Sequence, residues 1–384
     1  MNYWQLFGLA IKRAVLHKDS FMVLAMAAAF YLVFYSWPYQ EQVISNIPTV
    51  VVDMDKSEVS RDFISAFEAA PSVKLVGIET DMNQAVAALK QHRADVIVVI
   101  PSEYAKDRLN AQPVTLNVFA NGAYPVKGRA VGSVVSMLAA QDNVHLTGLK
   151  MLASGLDPAV LRTVAAKGPT LVTQDLFNPI NGYGLYTVSI VCVVIIQSVM
   201  FFGIGISMGR WLKNGRSEPV IEKTRTPLSV AVLVAAFWAI ALFWTFFMEG
   251  IGFWALQMPS LVNGSAALLA MGLFTLSATL LGLVIALLFG NNHYTAPTVV
   301  LASAPSVFAC GLIFPLNEAP LWVHAFANLI PSTPGAKAIV AASQQGASLV
   351  QIAEPLLLLA LQIAFYATLL VCLYQRYQKK INSL

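Results

Sequence analysis

The sequence predicts an α-helical polytopic membrane protein with six spans and an α/β domain inserted between the first two. Three observations predict this fold class. The 384 residues are 57% hydrophobic and only 11% charged, whereas soluble domains are about 25% charged. Six apolar runs approach or reach the roughly 20 residues that a spanning helix needs. After the first run, residues 38–182 return to the composition of a soluble protein. An ordinary soluble enzyme is therefore disfavoured.

The chain begins with an amphipathic segment, residues 1–19, that contains NYWQLFGLAIKRAVLHK. This pattern predicts a helix that lies in the membrane interface. The first apolar run, residues 20–37, follows it, and no small-residue cleavage site comes after the run. A cleaved signal peptide is thus disfavoured, and we expect residues 20–37 to form the first span.

Five further apolar runs lie in residues 183–384, which are predicted to form the rest of the membrane domain. With the first run, they make six expected spans, and both termini then lie on the same side. The five runs are Tyr183–Met208, Leu228–Leu256, Ser265–Phe289, Pro297–Pro315 and Pro355–Tyr374.

The distribution of positive charge predicts the orientation, because Lys and Arg concentrate in short cytoplasmic segments. The N-terminal segment, residues 210–227 and the C-terminal tail together hold 11 basic and 3 acidic residues, whereas residues 38–182 hold 12 basic and 14 acidic residues. We therefore expect both termini and the 210–227 loop to be cytoplasmic, and residues 38–182 to be outside. The overall charge of +4 is too small to suggest a nucleic-acid partner.

Residues 318–354 are interrupted by proline and glycine, and their apolar pieces are about half as long as a span. A single crossing here would place the positively charged C-terminal tail outside. Two short half-helices that enter from the outer face are the better interpretation.

The polar segment 38–182 alternates apolar runs rich in valine and isoleucine with helical patterns. IPTVVVDMD, VKLVGIE, ADVIVVIP and PVTLNVFANG are predicted strands, and helices are predicted between them. Such alternation is typical of βαβ units, so we expect a small α/β domain. Residues 126–152 then carry a long helical pattern, interpreted as a stalk that returns to the membrane.

Asp53 and Asp55 close the first predicted strand, a position where α/β proteins carry catalytic carboxylates. The favoured alternative is that they cap a turn and the next helix. The sequence contains neither a P-loop nor a GxGxxG fingerprint, so we expect no ATPase activity in this chain. The three cysteines lie inside apolar runs, and no metal-ligand spacing is present. We therefore expect neither a cofactor nor a metal site.

A proline-containing pattern before the last run indicates a family. FACGLIFPLNEAPLWVHAFANLIPSTPGAKAI contains a Gly-x-x-Phe-Pro element, then Pro-x-Trp, then a further proline turn. The residues of this outer half-helix motif are Gly311, Pro315, Pro320, Trp322 and Pro331. With the order of the other elements, the chain resembles the type 2 ATP-binding-cassette (ABC) exporter permeases, in the subgroup with a large external domain between the first two spans.

The resemblance implies an ABC ATPase subunit and a second permease subunit, identical or paralogous, as partners. It also implies a bacterial inner-membrane location, and a periplasmic adaptor protein that the external domain would meet. Membrane lipid is the fourth expected partner. The implied function is efflux of a drug-like, lipid or other amphipathic substrate, driven by ATP hydrolysis in the separate subunit. The rival hypothesis is a non-transporting receptor or assembly factor whose external domain binds a ligand or protein.

The 210–227 loop is charged, and the resemblance implies that it docks in the ATPase subunit as a coupling helix. Its candidate residues are Arg216, Glu218, Glu222, Lys223 and Arg225. The Gly-Thr element that family members commonly carry here is absent. The alternative is an ordinary positive loop at the lipid headgroups.

Glu249 is an ionisable residue within the third predicted span, in FWTFFMEGIGFW. A carboxylate in hydrocarbon costs roughly 2.5–3.5 kcal/mol on insertion scales, so it should face protein or water. Glu249 either lines a translocation path or is an interfacial residue beside two tryptophans.

Overall fold

The computed structural model describes residues 2–37, 44–110, 114–120, 125–153, 183–255, 262–289, 305–311, 316 and 319–382. The chain forms two compact units. One contains residues 1–42 and 175–384, and the other contains residues 43–174.

The first unit begins with the predicted amphipathic helix, α1 (Tyr3–Val15), which buries Leu6, Ala10 and Ala14 along one face. A continuous helical segment follows, made of α2 (Lys18–Phe21), a π-helical turn (Met22–Ala27) and α3 (Ala28–Ser36). Its apolar part, Met22–Ser36, is shorter than the other candidate spans.

Four described helices are long and apolar enough to cross a membrane: Val188–Asn214, Pro227–Ala255, Gly264–Phe289 and Ala353–Lys379. They correspond to four of the six predicted spans. The predicted span 297–315 lies mostly outside the described residues, of which 305–309 are helical. The described part of the chain therefore supports a polytopic membrane protein.

The helices of this unit, in chain order, are α8 (Tyr183–Asn214), α9 (Pro219–Lys223), α10 (Pro227–Phe246), α11 (Phe253–Ala255), α12 (Gly264–Phe289), α13 (Leu321–Ala327), α14 (Ser332–Gln344) and α15 (Ala353–Asn382). A 3₁₀ turn (Gly215–Ser217) precedes α9, and a π-helical turn (Phe247–Gly252) joins α10 to α11. α15 extends eight residues beyond the predicted end at Tyr374, because its polar end packs on the loop after α8.

One apolar core holds these helices together, and it includes residues from α1, α3, α8, α10, α12, α14 and α15. Glycine permits two of the closest contacts. A Cβ built on Gly203 would overlap the Leu24 side chain, and one built on Gly335 would overlap the Phe274 ring. Small residues allow helices to approach closely in membranes, where packing rather than water exclusion drives association.

The second unit contains a four-stranded sheet in the order β2-β1-β3-β4. Its strands are β1 (Ile47–Asp53), β2 (Val73–Glu79), β3 (Val96–Ile100) and β4 (Asn117–Ala120). β1 pairs in parallel with β2 and β3, and β4 is antiparallel to β3. Each of the four runs predicted as a strand contains one of these strands.

Helices cover both faces of this sheet. They are α4 (Glu58–Glu68), α5 (Met82–Lys90), α6 (Tyr104–Leu109) and α7 (Pro125–Ala153). Phe63 and Phe67 of α4 pack on one face with Val131 of α7. Ala85 and Ala88 of α5 pack on the other. β1 and β3 are buried on both faces, which explains their continuous apolar sequence.

Asp53 and Asp55 hold the turn after β1 together. Asp53 Oδ1 accepts from the backbone N–H groups of Asp55 and Lys56, both at 3.0 Å, and its Oδ2 accepts from Ser60 Oγ at 2.8 Å. Asp55 Oδ2 accepts from the Ala105 N–H at 3.2 Å. Ser57 Oγ caps α4 by accepting from the Ser60 N–H. These contacts favour the capping interpretation, with one difference: Asp53 holds the turn and Ser57 caps α4, whereas Asp55 accepts from the first turn of α6 and not from the next helix.

Candidate functional site

The predicted coupling segment folds as two tight turns around one very short helix. α8 ends at Asn214, and Gly215, with φ of +54°, starts the 3₁₀ turn. Pro219 then opens α9, which is only five residues long. Pro227 opens α10, whose Thr226 and Ser229 form a capping box. Proline fits the first turn of a helix but not its interior, so these two prolines limit the length of α9.

The apolar side of this segment belongs to the core of the membrane unit. Val220 and Ile221 are fully buried there. Thr224 is also buried, and its Oγ1 donates to the Val220 carbonyl at 2.7 Å. α9 is therefore anchored by side-chain burial, since a helix of this length has little stability of its own.

The end of the last helix, α15, binds the backbone of the same segment. Tyr374 Oη and Gln378 Nε2 donate to the Thr224 carbonyl at 3.1 and 3.0 Å. Tyr377 Oη donates to the Leu212 carbonyl at 2.9 Å. Sequence analysis missed these residues because it ended the last span at Tyr374. Their spacing, i, i+3 and i+4 on a helix, places them on one face and is a signal that could have revealed them.

The N-terminal helix α1 supplies a third attachment. Arg210 Nη2 donates to the Arg13 carbonyl at 2.9 Å. Arg13 Nε lies 3.9 Å from Glu218 Oε1, which is an ion-pair distance but too long for a hydrogen bond. Glu218 is only 4% exposed. Glu218 thus faces inward, unlike the charged residues that follow it.

Three of the predicted residues, Glu222, Lys223 and Arg225, are exposed. Arg225 Nε donates to the Glu222 carbonyl at 2.7 Å, which fixes the turn after α9. We call these three residues the charged turn. The side chain of Arg216, the fifth predicted residue, lies outside the described part of the chain.

Four of the five residues of the proline motif lie in the described part of the chain, before, within and after α13. Gly311, with φ of +80°, follows the helical residues 305–309, a conformation that suits glycine. Pro320 precedes α13 at its N-cap, and Trp322 is exposed on α13. Pro331 is buried at the start of α14. Pro315 lies outside the described residues.

A buried amide links these short helices to the bundle. Gln197 of α8 donates through Nε2 to Ser306 Oγ at 2.8 Å and accepts through Oε1 from the Ser332 N–H at 2.7 Å. Gln362 of α15 donates to the Asn328 carbonyl at 2.7 Å and accepts from Ser277 Oγ at 2.8 Å. Polar side chains of α8 and α15 therefore provide hydrogen-bond partners for backbone groups at the ends of the short helices α13 and α14, which have no partner within those helices.

Glu249 lies in the π-helical turn after α10 and is only 7% exposed. Neither carboxylate oxygen has a hydrogen-bond partner among the described residues. The neighbouring Gly252 lies against α3, since a Cβ there would overlap the Leu32 side chain. Glu249 is thus buried within the first unit, as is Trp244 before it, whereas Trp254 after it is exposed.

Among the described residues, no group of three or more His, Cys, Asp or Glu side chains could hold a metal ion.

The family model described as ABC-2 family transporter protein matches residues 18–371. Comparisons with curated proteins and with solved structures give no match. The matched range begins before the first apolar run and ends within α15, so it spans nearly the whole chain. The chain therefore belongs to the ABC-2 transporter family and is a membrane permease of an ABC transporter, for which the family implies an ABC ATPase partner.

Proposed function

We propose that the chain is the permease subunit of an ABC exporter that docks its ATPase through the charged turn. The observation that supports this most directly is the division of one five-residue helix into two sides. Val220 and Ile221 are buried in the membrane core, whereas Glu222 and Lys223 face outward. Movement of the ATPase at this surface would be transmitted to the spans, because the buried side of α9 is packed in the same apolar core as the spans.

The attachments of the turn extend this argument. Its backbone is bound by α15 through Tyr374 and Gln378, and Glu218 faces Arg13 of α1. A force applied at Glu222 thus reaches α1, α8, α10 and α15 together. Rigid-body motion of this kind is how nucleotide-driven closure reorients packed helices.

The charge distribution supports the orientation in this proposal. With both termini and the charged turn in the cytoplasm, the 11 basic residues of the three cytoplasmic segments satisfy the positive-inside rule. Residues 43–174 then form an external α/β domain. In a bacterial inner membrane, that domain would meet a periplasmic adaptor.

The substrate in this proposal is amphipathic, and a second copy or a paralogue completes the path. Glu249 is the candidate polar group of that path. Because its carboxylate is enclosed and lacks a hydrogen-bond partner in the described structure, a substrate would reach it only when the first and third spans separate. A buried carboxylate in a span is by default a functional candidate, since its burial is costly.

The test is reconstitution of the permease in vesicles with the ABC ATPase that co-purifies with it. Glu222→Lys should reduce permease-dependent stimulation of ATP hydrolysis by at least tenfold and should weaken co-purification. Glu354→Lys is the matched control, because Glu354 is an exposed acid at the other end of α15 and undergoes the same charge change.

Full stimulation by Glu222→Lys would contradict docking through this turn. If no nucleotide-binding protein co-purifies and the vesicles show no ATP-dependent transport, the exporter proposal itself fails.

A further inference from the structure

We propose that a groove between α1, the first span and α10 binds one acyl chain of an anionic phospholipid, and that basic residues beside α1 bind its headgroup. This site is separate from the charged turn, and it does not depend on the direction of transport or on the ATPase.

The groove has a volume of about 410 Å³, which is within the range of small-molecule sites. Ile11 and Val15 of α1 form one wall, Leu24 and Ala25 of the first span form the second, and Phe243 and Trp244 of α10 contribute to the third. Every one of these side chains is aliphatic or aromatic. The groove therefore suits an apolar chain.

The single polar group of these side chains is already engaged. Trp244 Nε1 donates to the Leu24 carbonyl at 2.5 Å. The side chains that line the groove therefore offer no free hydrogen-bond donor to a polar ligand. A substrate that must be oriented by hydrogen bonds would find no partner here, whereas an acyl chain requires none.

The position of the groove relative to the membrane favours a lipid. α1 is amphipathic and precedes the first span, so its last turn lies at the level of the interface. Leu24 and Ala25 lie in the apolar part of the span, two turns beyond its start at Lys18. The groove therefore extends from the interface into the hydrocarbon, and a phospholipid tail follows the same course.

Charge at the interfacial end indicates an anionic headgroup. Lys12 is adjacent to Ile11, and Lys18 begins α2 three residues after Val15. Both side chains are exposed, and neither forms an ion pair with a described side chain, unlike Arg13, which faces Glu218. Basic residues at the membrane surface attract anionic lipid by about 1 kcal/mol each. Lys12 and Lys18 are thus matched to a phosphatidylglycerol headgroup and not to a zwitterionic one.

Native mass spectrometry of the full-length permease, delipidated in mild detergent, tests the site. Phosphatidylglycerol and phosphatidylcholine with identical chains are titrated separately. We expect one tightly retained phosphatidylglycerol per chain and at least tenfold weaker retention of phosphatidylcholine. Equal retention of the two lipids would overturn the headgroup assignment.

Two variants separate headgroup from tail. Lys12→Gln with Lys18→Gln should reduce phosphatidylglycerol retention at least tenfold, in line with about 1 kcal/mol for each lysine. Arg376→Gln with Lys379→Gln is the matched control, since it removes the same charge from exposed residues of α15. Ala239→Phe, which fills the groove that Ala239 also lines, should abolish retention of both lipids.

Photo-crosslinking of the wild-type protein keeps the test valid if a variant fails to fold. Phosphatidylglycerol with a photoreactive group on its acyl chain should label Ala25 and Phe243 above other membrane-facing residues. Uniform labelling of all lipid-exposed helices would overturn the proposal, as would labelling that only a transported substrate competes away. Displacement of the lipid by a second permease copy on dimerisation would also count against it.

Discussion

The hydroxyl group of Tyr374 donates a hydrogen bond to the backbone carbonyl of Thr224, with an O···O distance of 3.1 Å. This contact joins the last helix of the chain to the turn that follows α9. The same carbonyl accepts from Gln378, so two side chains share one backbone group. The charged turn is thereby attached to α15 as well as to the helices that flank it in sequence.

Removal of the two donors to Thr224 should weaken this attachment in steps. Tyr374→Phe should cost about 1 kcal/mol, a typical net value for one hydrogen bond, because Gln378 still serves the carbonyl. Tyr374→Phe with Gln378→Ala leaves a buried carbonyl unsatisfied and should cost about 2–3 kcal/mol. Thermal unfolding in detergent measures both. Transport per ATP hydrolysed should fall in the double variant. If the losses of stability from the two substitutions simply add and transport per ATP is unchanged, Tyr374 and Gln378 do not act together in coupling.

The pairing of Arg13 with Glu218 predicts a difference between two neighbouring basic residues. Arg13→Glu should destabilise the permease by about 1–2 kcal/mol, since it replaces attraction with repulsion of a buried carboxylate at a similar distance. Lys12→Glu, compared with Arg13→Glu in delipidated detergent, is the matched control, because Lys12 is exposed and pairs with no described side chain. Glu218→Gln should relieve most of the loss in the Arg13→Glu background. Equal effects of the two reversals, measured as unfolding midpoints, would exclude a specific pair.

Substitution of Glu249 should change stability and transport in opposite directions. Because glutamine carries no charge and a buried charge is costly in a span, Glu249→Gln should raise the stability of the detergent-solubilised protein by about 1 kcal/mol at a pH where the carboxylate is charged. If Glu249 belongs to the translocation path, the same variant should also reduce transport severalfold while ATPase stimulation remains. A more stable variant with normal transport would show that Glu249 is not part of the translocation path.

The strands could be predicted from sequence because each is a local apolar run. Val50, Val51 and Val52 in β1, and Ile97 to Val99 in β3, are buried on both sides of the sheet, so their burial appears directly as a continuous apolar sequence. The exposure of Glu222, Lys223 and Arg225 also followed from local composition. These features require no knowledge of the partner element.

The inward position of Glu218 could not be predicted in this way. It depends on Arg13, 205 residues earlier, and the support of Thr224 depends on Tyr374, 150 residues later. The span count had a different difficulty. The first span was predicted over residues 20–37. The apolar helix found there, Met22–Ser36, is shorter and contains a π-helical turn.

The contact between Gly335 and Phe274 predicts a strong effect from a small change. Gly335→Ala places a methyl group where the buried Phe274 ring lies, and overpacking of this kind typically costs about 1–3 kcal/mol. Gly272→Ala in α12 is the matched control, because a Cβ there meets no atom within 4 Å. In a helix, that control should be neutral or slightly stabilising. Similar unfolding midpoints for both variants would show that α14 and α12 adjust without cost.

Gln197 should control the mobility of the short helices near the proline motif. Gln197→Leu removes the acceptor of the Ser332 N–H, and a buried group left unsatisfied costs about 1–3 kcal/mol. It also removes the hydrogen bond that Gln197 Nε2 donates to Ser306 Oγ. Hydrogen exchange should therefore accelerate in α14 and at residues 305–309, while α4 in the other unit provides an internal control. Gln197→Glu retains an acceptor for Ser332, so its effect on α14 should be smaller. If exchange in α14 is the same in the wild-type protein and in Gln197→Leu, the amide does not hold this helix in place, and the burial of Pro331 and the packing of Gly335 on Phe274 are sufficient.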